Sequence, residues 1–492
     1  MIMKKHFSLP IEKMLPYFVI AIACSSIFFI ELGDADEIWN YSFARNISKG
    51  LVPYRDFNII QTPLSAFVAA VFLSIFGDFL FVFRVAGFVL LCFLFAIQYN
   101  LFAFLCKKTS VALLSTIMCI ILIPKIYNYN HLMLSFVLII LRIELCEINR
   151  NNQVMENARK LNKYYAIESI VAGCAPLVKQ TTGSFLYLAF IVIVFINLRS
   201  KRINLRRLSY QLIVSLSPMV LFVLYLFVTN SFEGFLDYAI WGISTFSHRY
   251  TFAQFIFSSI GNFLVGLIVL FCIVLSIVQL FRNREKREII IKYLILFFAF
   301  STIVFPLCDQ QHFYLVFILI MPLFFSLFNY KTTTKTAEKA IAFIGLGLSI
   351  VSVLFNECFW VADYKLGSMN HYDLIPIESG LEVSLCTIDK YILNKEINGE
   401  KVFIADVSAA AIMIPIDHYN KDYDMLLVGN VGTKTIRQLA EGLSDSLVLV
   451  ASDTNKLGMQ DYYPLISFIK EEGVYCEQVE GLEVYRMERN RS

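Results

Sequence analysis

Eleven apolar runs fix what this chain can fold into: they lie near residues 14–31, 80–105, 109–125, 131–148, 164–178, 183–198, 209–228, 254–281, 289–305, 312–328 and 340–356. A helix crosses about 30 Å of hydrocarbon with roughly 20 such residues. No single core can hold them all, because cores stop growing at roughly 250–300 residues. The chain has 492 residues, of which 58% are hydrophobic and only 16% charged. Lipid is the remaining solvent, so the expected class is an α-helical polytopic membrane protein. The net charge of +3 is too small to argue for nucleic acid as a partner. The 11 cysteines include no CxxC pair, which supports neither a disulfide framework nor a zinc site. The first run follows Lys4, Lys5 and Lys13, lacks a small-residue cleavage site and is followed at once by acids, so it is expected to stay as a first span.

Positive charge orients the spans. The basic clusters are Lys4–Lys13, Lys107–Lys108, Arg150–Lys163, Arg199–Arg207, Arg282–Arg287 and Lys331–Lys339. A twelfth apolar stretch, Pro63–Phe76, is short and starts with proline. If it does not span, every cluster falls on the cytoplasmic side; if it spans, all clusters after the first fall outside. It is therefore expected to be a helix lying at the outer interface or re-entering. That gives about eleven transmembrane helices, a cytoplasmic N-terminus and an extracytoplasmic C-terminus, in a bacterial inner or plasma membrane. The outer segments are the first loop 32–79, the loop 229–253 with His248, Arg249 and Tyr250, and the tail from 357. The tail alternates short apolar strands (Lys401–Val407, Met425–Gly429, Leu447–Ala451, Val474–Gln478) with helical patterns (Leu381–Leu393, Thr433–Gly442, Tyr462–Glu472). Two domains are expected: a transmembrane domain over 1–356, and a small α/β domain on the outer face over 357–492.

Chemistry concentrates in the first outer loop. It opens Glu31-Leu-Gly-Asp34-Ala-Asp36-Glu37-Ile-Trp39-Asn-Tyr41, four acids within seven residues. An amphipathic stretch, Ile38–Ser48, follows with Tyr41, Ala44, Arg45 and Ile47 at helical spacing. Then come Gly50-Leu-Val-Pro53-Tyr54-Arg55-Asp56-Phe57, Pro63-Leu64, Phe76-Gly77 and Arg84. A solvated acidic loop is the bland reading, but a loop of this length without function is uncommon.

In its order of parts this run resembles the first external loop of GT-C membrane glycosyltransferases, such as the protein O-mannosyltransferases and the lipid A aminoarabinose transferase. That pattern is an acidic pair after span one, an interfacial helix, a G-x-x-P-Y-x-D-F-like stretch, a proline-led second interfacial helix and an arginine opening span two. The likeness covers residues 31–90 and reaches Pro176-Leu-Val-Lys179-Gln-Thr-Thr-Gly183 and Pro306-Leu-Cys-Asp309-Gln-Gln-His312. The family carries a basic or histidine residue just before the proline of the second interfacial helix; here Gln61-Thr62 stand there, which removes one expected charge from a phosphate site.

The resemblance implies a GT-C-like fold and transfer of a sugar from a polyprenyl-phosphate donor, itself a membrane lipid, to a glycan, lipid or protein acceptor. Such a reaction needs a carboxylate to take the acceptor proton or to hold a positioning metal. Asp36 matches the first acid of the family pair, with Asp34 and Glu37 next. A cation must meet the leaving phosphate, and Lys179, Arg55 and Arg249 are the candidates, Tyr54 standing beside Arg55. Lys179 either serves that role or snorkels at a helix end. His312 is either a donor to sugar or phosphate or a satisfied buried histidine, and His248 with Arg249 is either site or solvated loop. Asp56 either orders Arg55 or acts itself. Asp34 and Asp36, two apart, could chelate a divalent cation, Mg²⁺ or Mn²⁺, but two carboxylates are too few to establish a metal site.

Three other readings compete. A secondary transporter would show inverted repeats and charged midplane helices, whereas Arg84, Lys125, Glu144 and Lys179 sit near span ends. A polymerase or ligase of lipid-linked polysaccharide would use large later outer loops, and the later loops here are short. A receptor or scaffold would make the tail the working part. The charge pattern itself is testable by cysteine labelling. A cysteine introduced near residue 430 should label on intact cells, and one beside Lys107, Arg199 or Arg282 only after permeabilisation. The reverse would overturn the orientation.

Overall fold

A computed structural model describes residues 11–33, 35–106, 109–150, 158–242, 252–282, 287–305, 308–327, 364–405, 431–451 and 463–488, with 344, 347–348, 350–351, 412 and 414. The first nine helices are α1 Ile11–Cys24, α2 Ala35–Ser48, α3 Leu64–Phe76, α4 Leu80–Cys106, α5 Thr109–Leu122, α6 Tyr129–Arg150, α7 Ala158–Cys174, α8 Gln180–Arg199 and α9 Leu205–Val228. Later apolar helices occupy Ile260–Arg282, Arg287–Ser301 and Gln310–Leu327. Ten of the eleven apolar runs thus coincide with helices; most of the run at 340–356 lies outside the described residues. Among the described residues, α4 (over Leu80–Leu105), α8, α9 and Ile260–Arg282 are long and apolar enough to cross a membrane. Helix α3 is the stretch expected at the interface. Its 13 residues rise about 20 Å, short of a bilayer core of about 30 Å.

The chain packs as two units. One comprises Met1–Ile30, Gly87–Glu168 and Tyr250–Trp360; the other comprises Glu31–Ala86, Ser169–Arg249 and Val361–Ser492. In the first unit α1 packs on α5, and Arg287–Ser301 packs on α6 and Gln310–Leu327. The charges that must be buried there find partners. Lys292 Nζ lies 2.6 Å from Glu144 and 3.1 Å from Glu288, with Lys292 and Glu144 almost fully buried. Arg142 stacks 4.6 Å above the Phe104 ring. A lysine inside an apolar helix is tolerated only when so compensated.

In the second unit α2 and α3 pack on each other, and the loop between them joins a small core of Phe43, Tyr54, Phe57, Ile59, Ala66, Leu226, Tyr238 and Ala239. The tail adds a hairpin, β1 Tyr364–Leu366 against β2 Pro376–Glu378, and a four-stranded sheet in the order β3-β4-β6-β5. Its strands are β3 Lys401–Ala405, β4 Ser446–Ala451, β5 Val474–Val479 and β6 Leu482–Met487. β3 and β4 pair in parallel, and the other pairs are antiparallel. β4 is central, and Leu447, Val448, Leu449 and Val450 are all buried, as expected of a strand covered on both faces. Val448 and Val450 meet Leu439 of helix Ile436–Gly442 and Ile466 of helix Tyr463–Glu472. Helix Ser379–Ile397 packs on β3 and β5. The α/β character of the tail is therefore as the alternation suggests. The hairpin and β6 were not anticipated, and the strand expected at Met425–Gly429 lies outside the described residues.

The tail is tied to the rest of its unit. Leu32 N donates to Pro376 O (2.8 Å) and Leu80 N to His371 O (2.9 Å). Thr433 donates from its backbone N (3.0 Å) and its hydroxyl (2.7 Å) to Asp237 Oδ1. Gly432 has φ +67 and lies so close to the Asp237 carboxylate that no Cβ fits between them. Thr435 and Gln438 then close a reciprocal cap that starts helix Ile436–Gly442.

One buried acid in the tail makes its stability depend on pH. Asp389, on Ser379–Ile397, is 8% exposed, and burial raises its carboxyl to about 7. The folded domain therefore keeps a proton that the unfolded chain releases near pH 4. The stabilisation from that proton is complete below the unfolded value and is lost as pH rises through about 7. Asp389→Asn is neutral throughout. Between about pH 5 and 8, the melting temperature of the wild-type protein should fall relative to that of Asp389→Asn. Melting curves that stay parallel across that range would refute the assignment.

Candidate active site

Helix α2 carries the acids. Asp36 and Glu37 occupy its first turn and Arg45 its last, the arrangement that the helix dipole favours. Asn40 Nδ2 donates to Asp36 O at 2.7 Å. One face of α2 is buried and polar: Glu37, Tyr41 and Arg45, spaced i, i+4, i+8, are at most 2% exposed. Arg84, in the first turns of α4, meets Glu37 in two parallel bonds, Nε to Oε1 at 2.9 Å and Nη2 to Oε2 at 2.7 Å. Its Nη2 also donates to Glu31 O at 3.3 Å. A bidentate, fully buried pair of this kind is strong and geometrically exacting. Next to it Asp78 accepts from Tyr41 Oη (3.1 Å) and Arg45 Nε (3.0 Å), with Lys49 Nζ 3.4 Å away. His371 Nδ1 donates to Asp78 O at 2.6 Å. Burial and the Asp78 charge hold the Tyr41 phenol well above its usual range, so it stays neutral.

Asp36 thus differs from Glu37 by position on one helix turn. Glu37 faces the buried arginine; Asp36 is partly exposed. Asp34 lies outside the described residues, as do His248 and Arg249.

The loop after α2 is shaped by two left-handed residues, Gly50 (φ +86) and Tyr54 (φ +69). Tyr54 is 1% exposed, its hydroxyl donates to Gln61 O at 2.8 Å, and its ring meets Phe235 edge-on at 5.3 Å. Gly234 approaches the Tyr54 carbonyl where no side chain fits. Tyr54, expected as a substrate contact, therefore has its polar atom engaged within the turn. Arg55 is exposed and held by Asp56 through Nε and Nη2, both at 2.8 Å, and Asp56 Oδ2 also accepts from Val52 N at 2.8 Å. The Asp56 hydrogen bonds raise the Arg55 pKa further. Asp56 thus orders the arginine and the turn together.

Lys179 is 7% exposed and stands in extended backbone just before α8. The residue after it ties three segments together. Gln180 Nε2 donates to Ile60 O (2.7 Å) and Ala239 O (2.8 Å), while its Oε1 accepts from Thr62 N at 3.3 Å. Thr62 Oγ1 donates to Pro176 O at 2.8 Å. Gln61 and Thr62, which replace the charge expected before Pro63, are thus used as structural ties. No motif pointed to Gln180; its position beside Lys179 was the available signal. The acids of α2, Tyr54, Arg55 and Lys179 all belong to this second unit. His312 belongs to the first, where its Nδ1 faces Asp309 Oδ1 at 2.8 Å and its Nε2 faces Asn130 Nδ2 at 3.3 Å.

No family model and no curated protein matches the sequence. Solved structures do match the fold over almost its whole length. ArnT from Cupriavidus metallidurans in the apo state superposes with a TM-score of 0.62 at 10% identity, covering 96% of this chain and 97% of that one. The same protein bound to undecaprenyl phosphate gives 0.56 at 12% identity, with 97% and 98% covered. Archaeal oligosaccharyltransferase AglB from Archaeoglobus fulgidus, in complex with an inhibitory peptide and a dolichol-phosphate, gives 0.51 at 12% identity, covering 98% of this chain and 75% of that one. At such identities the likeness concerns the fold. The chain has the largely helical fold of these structures, with a small α/β domain at its C-terminal end.

Proposed function

We propose that this protein is a membrane glycosyltransferase that moves a sugar from a polyprenyl-phosphate donor to an acceptor on the outer face of a bacterial inner or plasma membrane. The observation that carries the reading is an end-to-end fold match to ArnT, in a chain whose first loop presents one buried, paired acid and one partly exposed acid in adjacent positions. Transfer breaks the bond between the anomeric carbon and the phosphate oxygen and forms one to the acceptor oxygen or nitrogen. The acceptor proton goes to a carboxylate, and the electron pair of the broken bond leaves with the lipid phosphate. Asp36 is the base in this scheme. Lys179 stands at the leaving phosphate, where its charge and the positive end of the α8 dipole add. Arg55 and, in the outer loop, Arg249 are further phosphate or sugar contacts. If a Mg²⁺ or Mn²⁺ ion takes part, Asp34 and Asp36 hold it and it orients the acceptor. Glu37 offers no ready third ligand, because both its oxygens accept from Arg84. The acceptor is a glycan, lipid or protein bearing a nucleophilic hydroxyl, amine or phosphate.

The adjacent acids give opposite expectations. Asp36→Asn should lower transfer by about 10²–10⁴ with stability changed by no more than about 0.5 kcal/mol. Glu37→Gln should do the converse: it strands the buried Arg84 charge and should cost on the order of 3–5 kcal/mol in stability. Lys179→Ala should weaken donor binding as well as slow turnover, because a phosphate contact acts in ground and transition state alike. If Asp34 and Asp36 hold a metal, Asp34→Asn should also fail and chelators should abolish transfer; if Asp36 acts alone as base, neither should matter much. The assay is transfer of radiolabelled sugar from undecaprenyl-phosphate donors by purified protein in detergent, with thermal unfolding in parallel. Near wild-type turnover by Asp36→Asn would reject the site, and a wild-type protein inert toward every donor tested would reject the function.

A further inference from the structure

The turn between β1 and β2 meets the buried polar face of α2 and the start of α4. His371, 7% exposed, bonds both. Its carbonyl accepts from Leu80 N, the first amide of α4, at 2.9 Å. Its Nδ1 donates to Asp78 O at 2.6 Å, and its Nε2 lies 3.4 Å from Arg45 Nη2. A carbonyl only accepts and a guanidinium only donates. The two partners therefore fix a neutral imidazole, with its proton on Nδ1 and the lone pair of Nε2 toward Arg45. The Asp78 carboxylate stands 3.6 Å from Nδ1, and the Phe79 ring lies 6.4 Å from the imidazole. The next residue, Tyr372, is 0% exposed. Burial first, then the Asp389 carboxylate, push its phenol above the usual range, with Glu37 adding to the push and Arg45 opposing it. Charges of the tail and of α2 thus bear on one buried ring.

The turn is bent around these contacts. His371 has φ +69 and Leu374 φ +66. Left-handed values cost free energy in a residue with a side chain and persist where the surroundings over-determine them. A further tail carbonyl, Pro376 O, accepts at 2.8 Å from Leu32 N, on the approach to α2. The first amide of a helix has no partner of its own, so α4 starts on a carbonyl of the tail. Asp36 stands on α2 between two points that the tail bonds, Leu32 before it and Arg45 after it. Resting on the glycosyltransferase reading, we infer that His371 is a positioning residue for transfer: through Arg45 the tail holds α2 and so fixes where Asp36 meets the acceptor. The lipid phosphate meets Lys179, on a turn that Thr62 and Gln180 hold, so the tie acts on turnover and not on donor binding.

Two variants separate this role from a merely structural one. Asn tolerates a left-handed backbone, and its amide reaches about as far as Nδ1, so His371→Asn keeps the bond to Asp78 O and loses the acceptor for Arg45. The longer amide of His371→Gln reaches about as far as Nε2 and keeps that acceptor. Turnover at saturating donor, binding of undecaprenyl phosphate, melting temperature and hydrogen exchange of the α2 amides are measured on the whole chain in detergent. His371→Asn should melt close to wild type and bind undecaprenyl phosphate unchanged, yet turn over about 10–10²-fold more slowly and exchange the amides of Tyr41–Ser48 faster. His371→Gln should keep turnover and exchange near the wild-type values, even with a lower melting temperature. Turnover that follows melting temperature, with Asn above Gln, would make His371 a fastener of the fold and overturn the inference. Unchanged α2 exchange in both variants would overturn it as well. If His371→Asn does not fold, Arg45→Lys, which has one nitrogen for the two partners, is measured in its place with the same expectations. A wild-type protein inert toward every lipid-linked sugar rejects the transferase reading; the exchange measurement needs no turnover and still tells whether the tail holds α2.

Discussion

A guanidinium with 0% exposure is the constraint around which the second unit is organised. Arg84 cannot shed its proton, so burying it requires an acid in a fixed place. Glu37 supplies that acid with both oxygens. Because Glu37 sits in the first turn of α2 and Arg84 in the first turns of α4, the pair fixes where one helix starts relative to the other. Asp78 and Arg45 repeat the device eight residues along α2, with His371 bringing the tail onto the same carboxylate residue. The first loop is therefore not a floppy acidic segment. It is a helix nailed down at two turns, and the acid next to the first nail is presented in a defined direction.

This explains why neighbouring acids take different work. A carboxylate committed to a buried arginine is a poor base, since protonating it breaks a bidentate pair and strands the charge opposite. Asp36 lies one helical step round from Glu37 and is partly exposed. In the proposed scheme the same helix thereby separates stiffness from chemistry. Lys179 shows a matching division: the residue that bears charge is followed by Gln180, whose amide bonds three backbone groups in two other segments and holds the charged residue's backbone in place.

Much of this was legible in the sequence, and the gaps have physical causes. The apolar helices, α3 among them, followed from the length and composition of the apolar runs, which need no contacts to be read. The alternating tail showed its class but not β6 or the β1–β2 hairpin, because Leu482–Met487 interleaves Glu483 and Arg486 with its buried residues and a three-residue strand carries no periodicity. The acidic pair was visible, but its division of labour was not, since both acids look alike until Arg84 folds onto one of them. A signal did exist: Glu37, Tyr41 and Arg45 recur at i, i+4, i+8, a polar stripe on one face of a helix. Such a stripe is either solvated or paired with another, and the arginine opening the next helix was the clue to which. Gln180 lay inside the Pro176–Gly183 stretch but nothing marked it out from its neighbours, since a lone amide acquires meaning only from what surrounds it.

The replacement of the charge expected before Pro63 by Gln61-Thr62 bears on how a lipid phosphate would be held. Removing a cation from a buried site usually lets the remaining charges dominate. Here Thr62 instead fastens the segment, through Gln180 and Pro176, to the turn carrying Lys179. One fewer charge is offset by one fewer degree of freedom. A single lysine held at a helix start is a weaker attractor than two cations, but its position is set before any ligand arrives, so little ordering entropy is lost on binding. Selectivity in such a site must then come from neutral groups around the phosphate rather than from added charge, because charge alone does not tell one glycosylated lipid from another.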